Sequence, residues 1–471
     1  MNHSASQNIT AKVFKRSGLL SLARLLQVAV TFIIFWIFSL SLSKEAYGIY
    51  QKTFVLVSFF SGLCCLGLPI LIASLPSFST GNYILAVLKK SRFIYAFIII
   101  SSAVFILLLA DFISLQARIT VLILVLFNAL YLVMETYLVK LQRDGYVLFN
   151  NIFYTGLYFV LHFAAVKQPL FQLEQLLLWL CCLSFARMIL LFFFNRAVIS
   201  ADTITVTESG NAHYFNQWKF LSLNEALDIF SRQVDKLFLL WLLTAASFAV
   251  YFNGSYEIPL IGILISTTGT FITMQAVQQQ DPAHVKLLLQ QSTLILACIL
   301  FPIFFFLLFN AGALFQVIFK GNYNDSIPVF LISCCIIPLR IMNYTAILQG
   351  YHKGKEILIG SVTGLIAKII FSVILYIVWD VRGVALAFIL GTFAQIIYYL
   401  IQTADLLKTG LSRLLPYAKL FLLFIIAGTI SYAGEFFSTD FSMDFFLLAQ
   451  GTICLLLMAA GIFFVLKKSK Q

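Results

Sequence analysis

"LSKEAYGIYQ", residues 42–51, and "LTAASFAVYF", residues 243–252, each follow a long apolar run and open the next one. Placed side by side, Leu42 matches Leu243, Ser43 matches Thr244, Tyr47 matches Phe248, Ile49 matches Val250 and Tyr50 matches Tyr251. Six apolar runs separate the paired positions. An even number of crossings returns a chain to the side it started from. Two copies of a six-helix unit would therefore run in the same orientation, related by an axis along the membrane normal.

The composition supports this reading. Hydrophobic residues make up 61% of the 471, charged residues 11%, and Phe occurs 49 times, which excludes an ordinary soluble domain. A bilayer core of about 30 Å takes roughly 20 apolar residues in a helix. Such runs fall at approximately 18–43, 46–75, 92–110, 118–141, 146–166, 174–196, 219–243, 250–279, 286–309, 326–350, 355–379, 383–403, 415–433 and 444–466. The expected fold is an all-α polytopic membrane protein of about fourteen helices. Residues 1–199 form a first lobe (helices one to six), the polar break 200–217 a cytoplasmic linker, 218–410 a second lobe (helices seven to twelve), and 411–471 two extra helices with a basic tail. Continuous runs rather than short alternating ones exclude a β-barrel.

Lys and Arg divide unevenly between the two sides. Only Lys44, Arg118, Lys167, Lys320 and Arg382 fall on one side, while Lys89, Lys90, Arg92, Lys140, Arg143, Lys353, Lys355 and both basic ends fall on the other. Both termini are thereby expected in the cytoplasm. The same loops account for the formal charge of +12 without nucleic acid as a partner. The eight Cys residues fall within the apolar runs, six as vicinal pairs, and read as small packing residues. The five His residues show no metal-ligand spacing, so no metal or other cofactor is expected. "GYHKGK" at 350–355 lacks the spacing of a phosphate-binding loop, and no loop is long enough for an external catalytic domain.

Charge inside the runs concentrates in "LNEALDIFSRQVDKLFLLW", residues 223–241. At 100° per residue Glu225, Asp228, Arg232, Asp235 and Lys236 share an arc of roughly 100°. Presenting each to lipid would cost about 2.5–3.5 kcal/mol, so the arc should face protein or a wet cavity. Asp228 and Arg232, and Arg232 and Asp235, stand at spacings where helix side chains pair. Two readings stay open: a salt-bridged packing seam, or the wall of a substrate cavity between lobes. The repeat sets Arg24 opposite Glu225 and Lys52 opposite Asn253, so helix one has a polar face of its own. Arg24, Lys52, Arg232 and Arg340, which follows Pro338 within a run, are candidate contacts for an anionic head group such as a pyrophosphate. Glu225, Asp228 and Asp235 are candidates for ion coupling. Glu135, Arg187, Glu257 and Lys368 are further charges within the runs.

On "LSKEAYGIYQ", "LGLP" at 66–69, "DKLFLLWLLTAASFAVYFNGSYEIPLIGIL" from Asp235 and "AILQGYHKGK" from Ala346, nearly the whole chain resembles the polysaccharide-export branch of the multidrug, oligosaccharidyl-lipid and polysaccharide exporter (MOP) superfamily. The resemblance implies a bacterial inner-membrane flippase, not an enzyme. It would carry oligosaccharide repeat units linked to undecaprenyl diphosphate by alternating access, for O-antigen, capsule or exopolysaccharide. Related lipid II flippases carry basic residues on the first two helices, where Arg24 and Lys52 stand here, the latter a single-point rather than a bidentate donor. Implied partners are the lipid-linked oligosaccharide, membrane lipid, H+ or Na+, and the polymerase or ligase of the same glycan. The alternatives are a cation-coupled drug antiporter of the same superfamily and, in another class, a membrane glycan polymerase or ligase.

Overall fold

The computed structural model describes residues 25–74, 80–168, 170–199, 208–256, 258–279, 281–436 and 443–469. Among them the chain is helical, with short 3-10 turns and no strand. Seven of these helices are long and apolar enough to cross a membrane. The chain divides into two compact units, one holding the described residues up to Gln233 with Thr244–Ala246, the other holding Val234–Leu243 and the described residues from Ser247 onward.

The first unit comprises α1 (Leu25–Ser41), α2 (Lys44–Cys65), α3 (Leu68–Ser74), α4 (Thr80–Leu109), α5 (Leu115–Lys140), α6 (Asp144–Val166), α7 (Leu173–Ile199) and most of α8 (Glu208–Leu242). Ser43 starts α2 by accepting the Ala46 N–H at 3.2 Å, and Ser114 starts α5 by accepting from Ala117 at 3.2 Å. Each cap satisfies an N–H that the first helical turn leaves without a partner. α5 is central, packed against α2, α3, α4, α6 and α7. The expected run 46–75 is broken: Leu66 (φ 43) and Gly67 (φ 71) take left-handed conformations and separate α2 from α3. A Cβ on Gly67 would stand 2.7 Å from the Ser222 backbone, so glycine meets both the φ and the close approach of α8. Trp218 Nε1 donates to the Leu66 carbonyl at 2.9 Å, satisfying an acceptor the break frees. Residues 200–207, within the expected linker, lie outside the described residues, and from Glu208 the chain is already helix.

The second unit holds the end of α8, then α9 (Ala245–Gly254), α10 (Pro259–Gln279), α11 (Pro282–Phe309), α12 (Ala311–Phe319), α13 (Ile327–Cys334), α14 (Ala346–Gly350), α15 (Gly354–Leu406), α16 (Leu411–Leu414), α17 (Tyr417–Phe436) and α18 (Met443–Ser469). Asp281 accepts from the N–H groups of Ala283 and His284, with Pro282 at the first turn of α11, a strong start signal. α11 packs against α10, α17 and α18, and its buried Leu296, Leu300, Phe301 and Phe304 join Leu420 and Ala427 of α17 in an apolar core. Two expected continuous runs are again broken. The run 250–279 parts between α9 and α10, and 326–350 parts around a 3-10 turn at Pro338–Arg340, where proline cannot donate to a helical hydrogen bond. By contrast the expected gap at 380–382 is a kink at one residue, Asp380 (φ 53, ψ −136), inside α15. The short helix α12 falls in an expected loop.

Rejoined at their breaks, and with α15 divided at Asp380, these helices give about fourteen apolar passes, as the lengths of the runs require. The repeated stretches start helices in the same way. Tyr47 and Tyr50 early in α2, and Phe248 and Tyr251 early in α9, are all fully buried.

Candidate functional site

Within the first unit α1, α2, α5, α6 and α7 line a half-open cavity of about 350 Å³. Gln27, Thr31, Ser58, Ser61, Asn128 and Thr155 give it polar groups, and Phe54, Tyr131, Tyr154 and Tyr158 give it aromatic walls. Among the described residues its lining carries one charged side chain, Arg187.

Arg187, on α7, is 5% exposed, and a charge so deeply placed needs partners. Its Nε donates to Asn150 Oδ1 at 3.1 Å and its Nη2 to Asn151 Oδ1 at 2.5 Å, both on α6. Its Cζ lies 3.3 Å from the ring centre of Tyr131 and 3.8 Å from that of Tyr154, so an electron-rich face lies on each side of the cation. Tyr131 Oη also donates to Asn151 Oδ1, at 2.9 Å, and Asn151 Nδ2 donates to Glu135 Oε1 at 2.7 Å. One amide thus joins a buried cation to a carboxylate on the neighbouring helix. Two cavity hydroxyls, Ser61 Oγ (residue 5% exposed) and Thr155 Oγ1 (3%), have no hydrogen-bond partner among the described residues.

The solved structures that the chain resembles fit this architecture. A lipid II flippase, MurJ, in an inward closed conformation superposes with a TM-score of 0.71 at 14% identity, over 97% of this chain and 100% of that one. An inward-facing multidrug resistance transporter of the MATE family, in the MOP superfamily, gives 0.61 at 15% identity over 81% and 96%. The outward-facing form of a MATE transporter gives 0.56 at 15% identity over 84% and 97%. The chain has a MOP-like fold. No protein-family model matches the sequence, and no curated protein does.

Within this fold the residues singled out from the sequence fall in several places. Arg24 lies outside the described residues, as does Glu257. Lys52 is buried on α2 with its Nζ 5.4 Å from the ring centre of Phe112, in the turn between α4 and α5, and does not line the cavity. Glu225 is half-buried on α8, with one carboxylate oxygen, Oε2, lacking a partner among the described residues. Asp228 and Arg232 form the expected ion pair at 3.1 Å, both well exposed at 56% and 62% of the side chain. Asp235 is not paired with Arg232. It is 3% exposed in the second unit, accepting from Tyr251 Oη at 2.7 Å and lying 3.4 Å from Lys236 Nζ. The arc of five charges therefore does not share one environment, because Asp235, at its edge, turns toward α9.

Arg340 ends the 3-10 turn after Pro338 and lines a small cavity of about 40 Å³ with Ser255, Tyr256 and Ser333. Two helix breaks, after α9 and after α13, meet there. Irregular backbone at membrane depth is tolerated where it is buried in protein or lines a cavity. Elsewhere in the second unit, Ser247, Asp325, Trp379, Asp380 and Arg382 border a cavity of about 660 Å³.

Sequence reasoning set Arg187 and Glu135 below Arg340 and gave Asn150 and Asn151 no part. The available signal was the vicinal Asn pair inside an apolar helix, between two other helices that each carry one charge away from their ends, Glu135 and Arg187. Buried amides at that depth require partners.

Proposed function

We propose that the chain is a flippase for oligosaccharide repeat units carried on undecaprenyl diphosphate. It would move them from the cytoplasmic to the outer leaflet of a bacterial inner membrane by alternating access, in O-antigen, capsule or exopolysaccharide assembly. One observation carries this reading: a MOP-like fold holds a cavity whose aromatic walls, amides and unpartnered hydroxyls surround a guanidinium. Sugars offer hydroxyls to such amides and hydroxyls and apolar faces to such rings. A cation-coupled drug antiporter fits less well, since a cationic guest would meet Arg187 with no acid among the described residues of the cavity lining.

In this reading Arg24, Lys52, Arg232 and Arg340 are the candidate contacts for the pyrophosphate. Glu225, Asp228 and Asp235 are the acids available for coupling to H+ or Na+. The product would pass to a polymerase or ligase of the same glycan. Both termini lie in the cytoplasm, by the distribution of Lys and Arg.

The test is deletion of the protein in its own host, followed by extraction of undecaprenyl-linked oligosaccharide from each leaflet. Accumulation on the cytoplasmic face is expected, with loss of the surface glycan. A normal distribution between leaflets sinks the proposal.

A further inference from the structure

The geometry around Arg187 leaves it little freedom to bind, and that restriction selects a ligand. Its two faces are covered by the rings of Tyr131 and Tyr154, at 3.3 and 3.8 Å. Its Nε is engaged by Asn150, and one N–H of Nη2 by Asn151. Nη1 makes no hydrogen bond to any described residue. What remains is the edge formed by Nη1 and the second N–H of Nη2. That edge matches the two oxygens of one carboxylate, which an arginine holds through parallel N–H bonds. A diphosphate spreads more charge over more oxygens and calls for several cations, whereas the described lining supplies one.

The remaining groups on the lining fit the rest of a sugar. Ser61 Oγ and Thr155 Oγ1 are buried and without partners among the described residues, although a threonine inside a helix usually turns back onto a carbonyl of its own helix. Buried polar groups are nearly always satisfied, and Ser61 on α2 and Thr155 on α6 both border the cavity, where a turn about χ1 presents either unsatisfied hydroxyl to a guest. The aromatic walls supply stacking surface, and Gln27 and Asn128 supply further amides. A volume of about 350 Å³ lies at the lower end of the range for small-molecule pockets, a size for one sugar residue rather than a repeat unit.

We infer that this cavity reads a carboxylate-bearing sugar, a uronic acid residue of the translocated glycan, with Arg187 on the carboxylate and Ser61 and Thr155 on ring hydroxyls. This rests on the flippase reading for its biological setting but not for its chemistry. Glu135 stands behind Asn151, off the cavity lining, where it balances the buried cation without repelling the guest.

The test uses the purified full chain in lipid nanodiscs and reads the shift in thermal unfolding with methyl glucuronide. Methyl glucoside serves as the neutral sugar, and acetate and inorganic pyrophosphate at matched ionic strength serve as bare anions. The glucuronide should raise the unfolding temperature saturably, with half-saturation roughly tenfold or more tighter than the glucoside, the worth of one charge-assisted hydrogen-bonded pair. Arg187→Gln should remove that preference. Should this variant fail to fold, Asn128→Asp adds a negative charge to the cavity wall without touching the Arg187 contacts and should weaken glucuronide by a similar factor while sparing glucoside.

Equal responses to the two sugars overturn the inference, as does a larger response to pyrophosphate or acetate, or no response to any of the four. Absence of a glucuronide preference in the unaltered protein, together with accumulation in the deletion strain, removes only the acidic-sugar assignment. A retained preference without accumulation supports this assignment and removes the flippase reading instead.

Discussion

Arg187 Nη2 donates to Asn151 Oδ1 at 2.5 Å, so the buried cation of α7 is held by a neutral amide rather than by a carboxylate in direct contact. The carboxylate, Glu135, sits on the other end of that amide. Replacing Asn151 by Leu would leave a buried guanidinium and a carboxylate each short of a hydrogen bond. Removing one partner from a buried polar network costs far more than the network's net worth. The expected loss for Asn151→Leu is about 2–4 kcal/mol in thermal unfolding of the purified protein. In a double-mutant cycle, Glu135→Gln with Arg187→Gln should cost less than the sum of the single changes, because paired removal leaves no lone charge.

At the break between α2 and α3, Gly67→Ala meets two obstacles. Its φ of 71 is unfavourable for an L side chain, and the new Cβ would press on the Ser222 backbone at 2.7 Å. Backbone cannot swing aside as a flexible side chain can. A loss of about 1–3 kcal/mol is expected, visible as reduced yield of folded protein and a lower unfolding temperature. Trp218→Phe should lose less, since it only removes the donor to the Leu66 carbonyl.

The helical architecture was legible because one physical quantity, the length of apolar chain needed to cross a bilayer, controls it. Positions 47, 50, 248 and 251 were also readable as equivalent, and all four are buried. Breaks were less legible. Pro338 announces its own, but the break at Leu66–Gly67 depends on α8 lying close enough to exclude a Cβ, which no local pattern records. The site was least legible of all. Periodicity could gather the α8 charges on an arc, yet it could not say that Asp235 would find Tyr251 or that Arg187 would find two asparagines and two tyrosines on other helices. Those partners are set by which helix faces meet, and that is decided by packing along the whole length of α5, α6 and α7.

Tyr251 supplies the short hydrogen bond to Asp235, a carboxylate only 3% exposed. Hydrogen bonds to charged groups are worth about 1.5–3 kcal/mol, so Tyr251→Phe should lower stability by that order. Adding Asp235→Asn to it should recover part of the loss, because a neutral amide is easier to bury than an under-bonded carboxylate. No recovery in thermal unfolding would mean that Lys236, 3.4 Å away, already holds the charge.

Asp380 adopts φ 53 and ψ −136, a conformation natural to glycine and strained for any other residue. Asp380→Gly should relieve that strain at a smaller entropic cost and stabilise the protein by about 1 kcal/mol. If unfolding shows destabilisation instead, the side chain makes contacts at the Asp325, Trp379 and Arg382 cavity that outweigh its backbone.

Arg232 separates stability from function. Its ion pair with Asp228 is well exposed on both sides, at 3.1 Å and four residues apart on α8. Such pairs contribute about 0.3–0.5 kcal/mol, so neither Arg232→Gln nor Asp228→Asn should move the unfolding temperature appreciably. On the flippase proposal, a packing seam predicts that glycan export survives both changes, since nothing buried is disturbed. A substrate or ion contact predicts something different: loss of surface glycan with Arg232→Gln despite normal folding and membrane insertion, and a milder defect with Asp228→Asn, which leaves the guanidinium free. The second pattern is the expected one, because five charges retained in one stretch of an otherwise apolar chain cost more on insertion than so weak a pair returns. Normal surface glycan in cells carrying Arg232→Gln as the only copy would assign the pair to the seam.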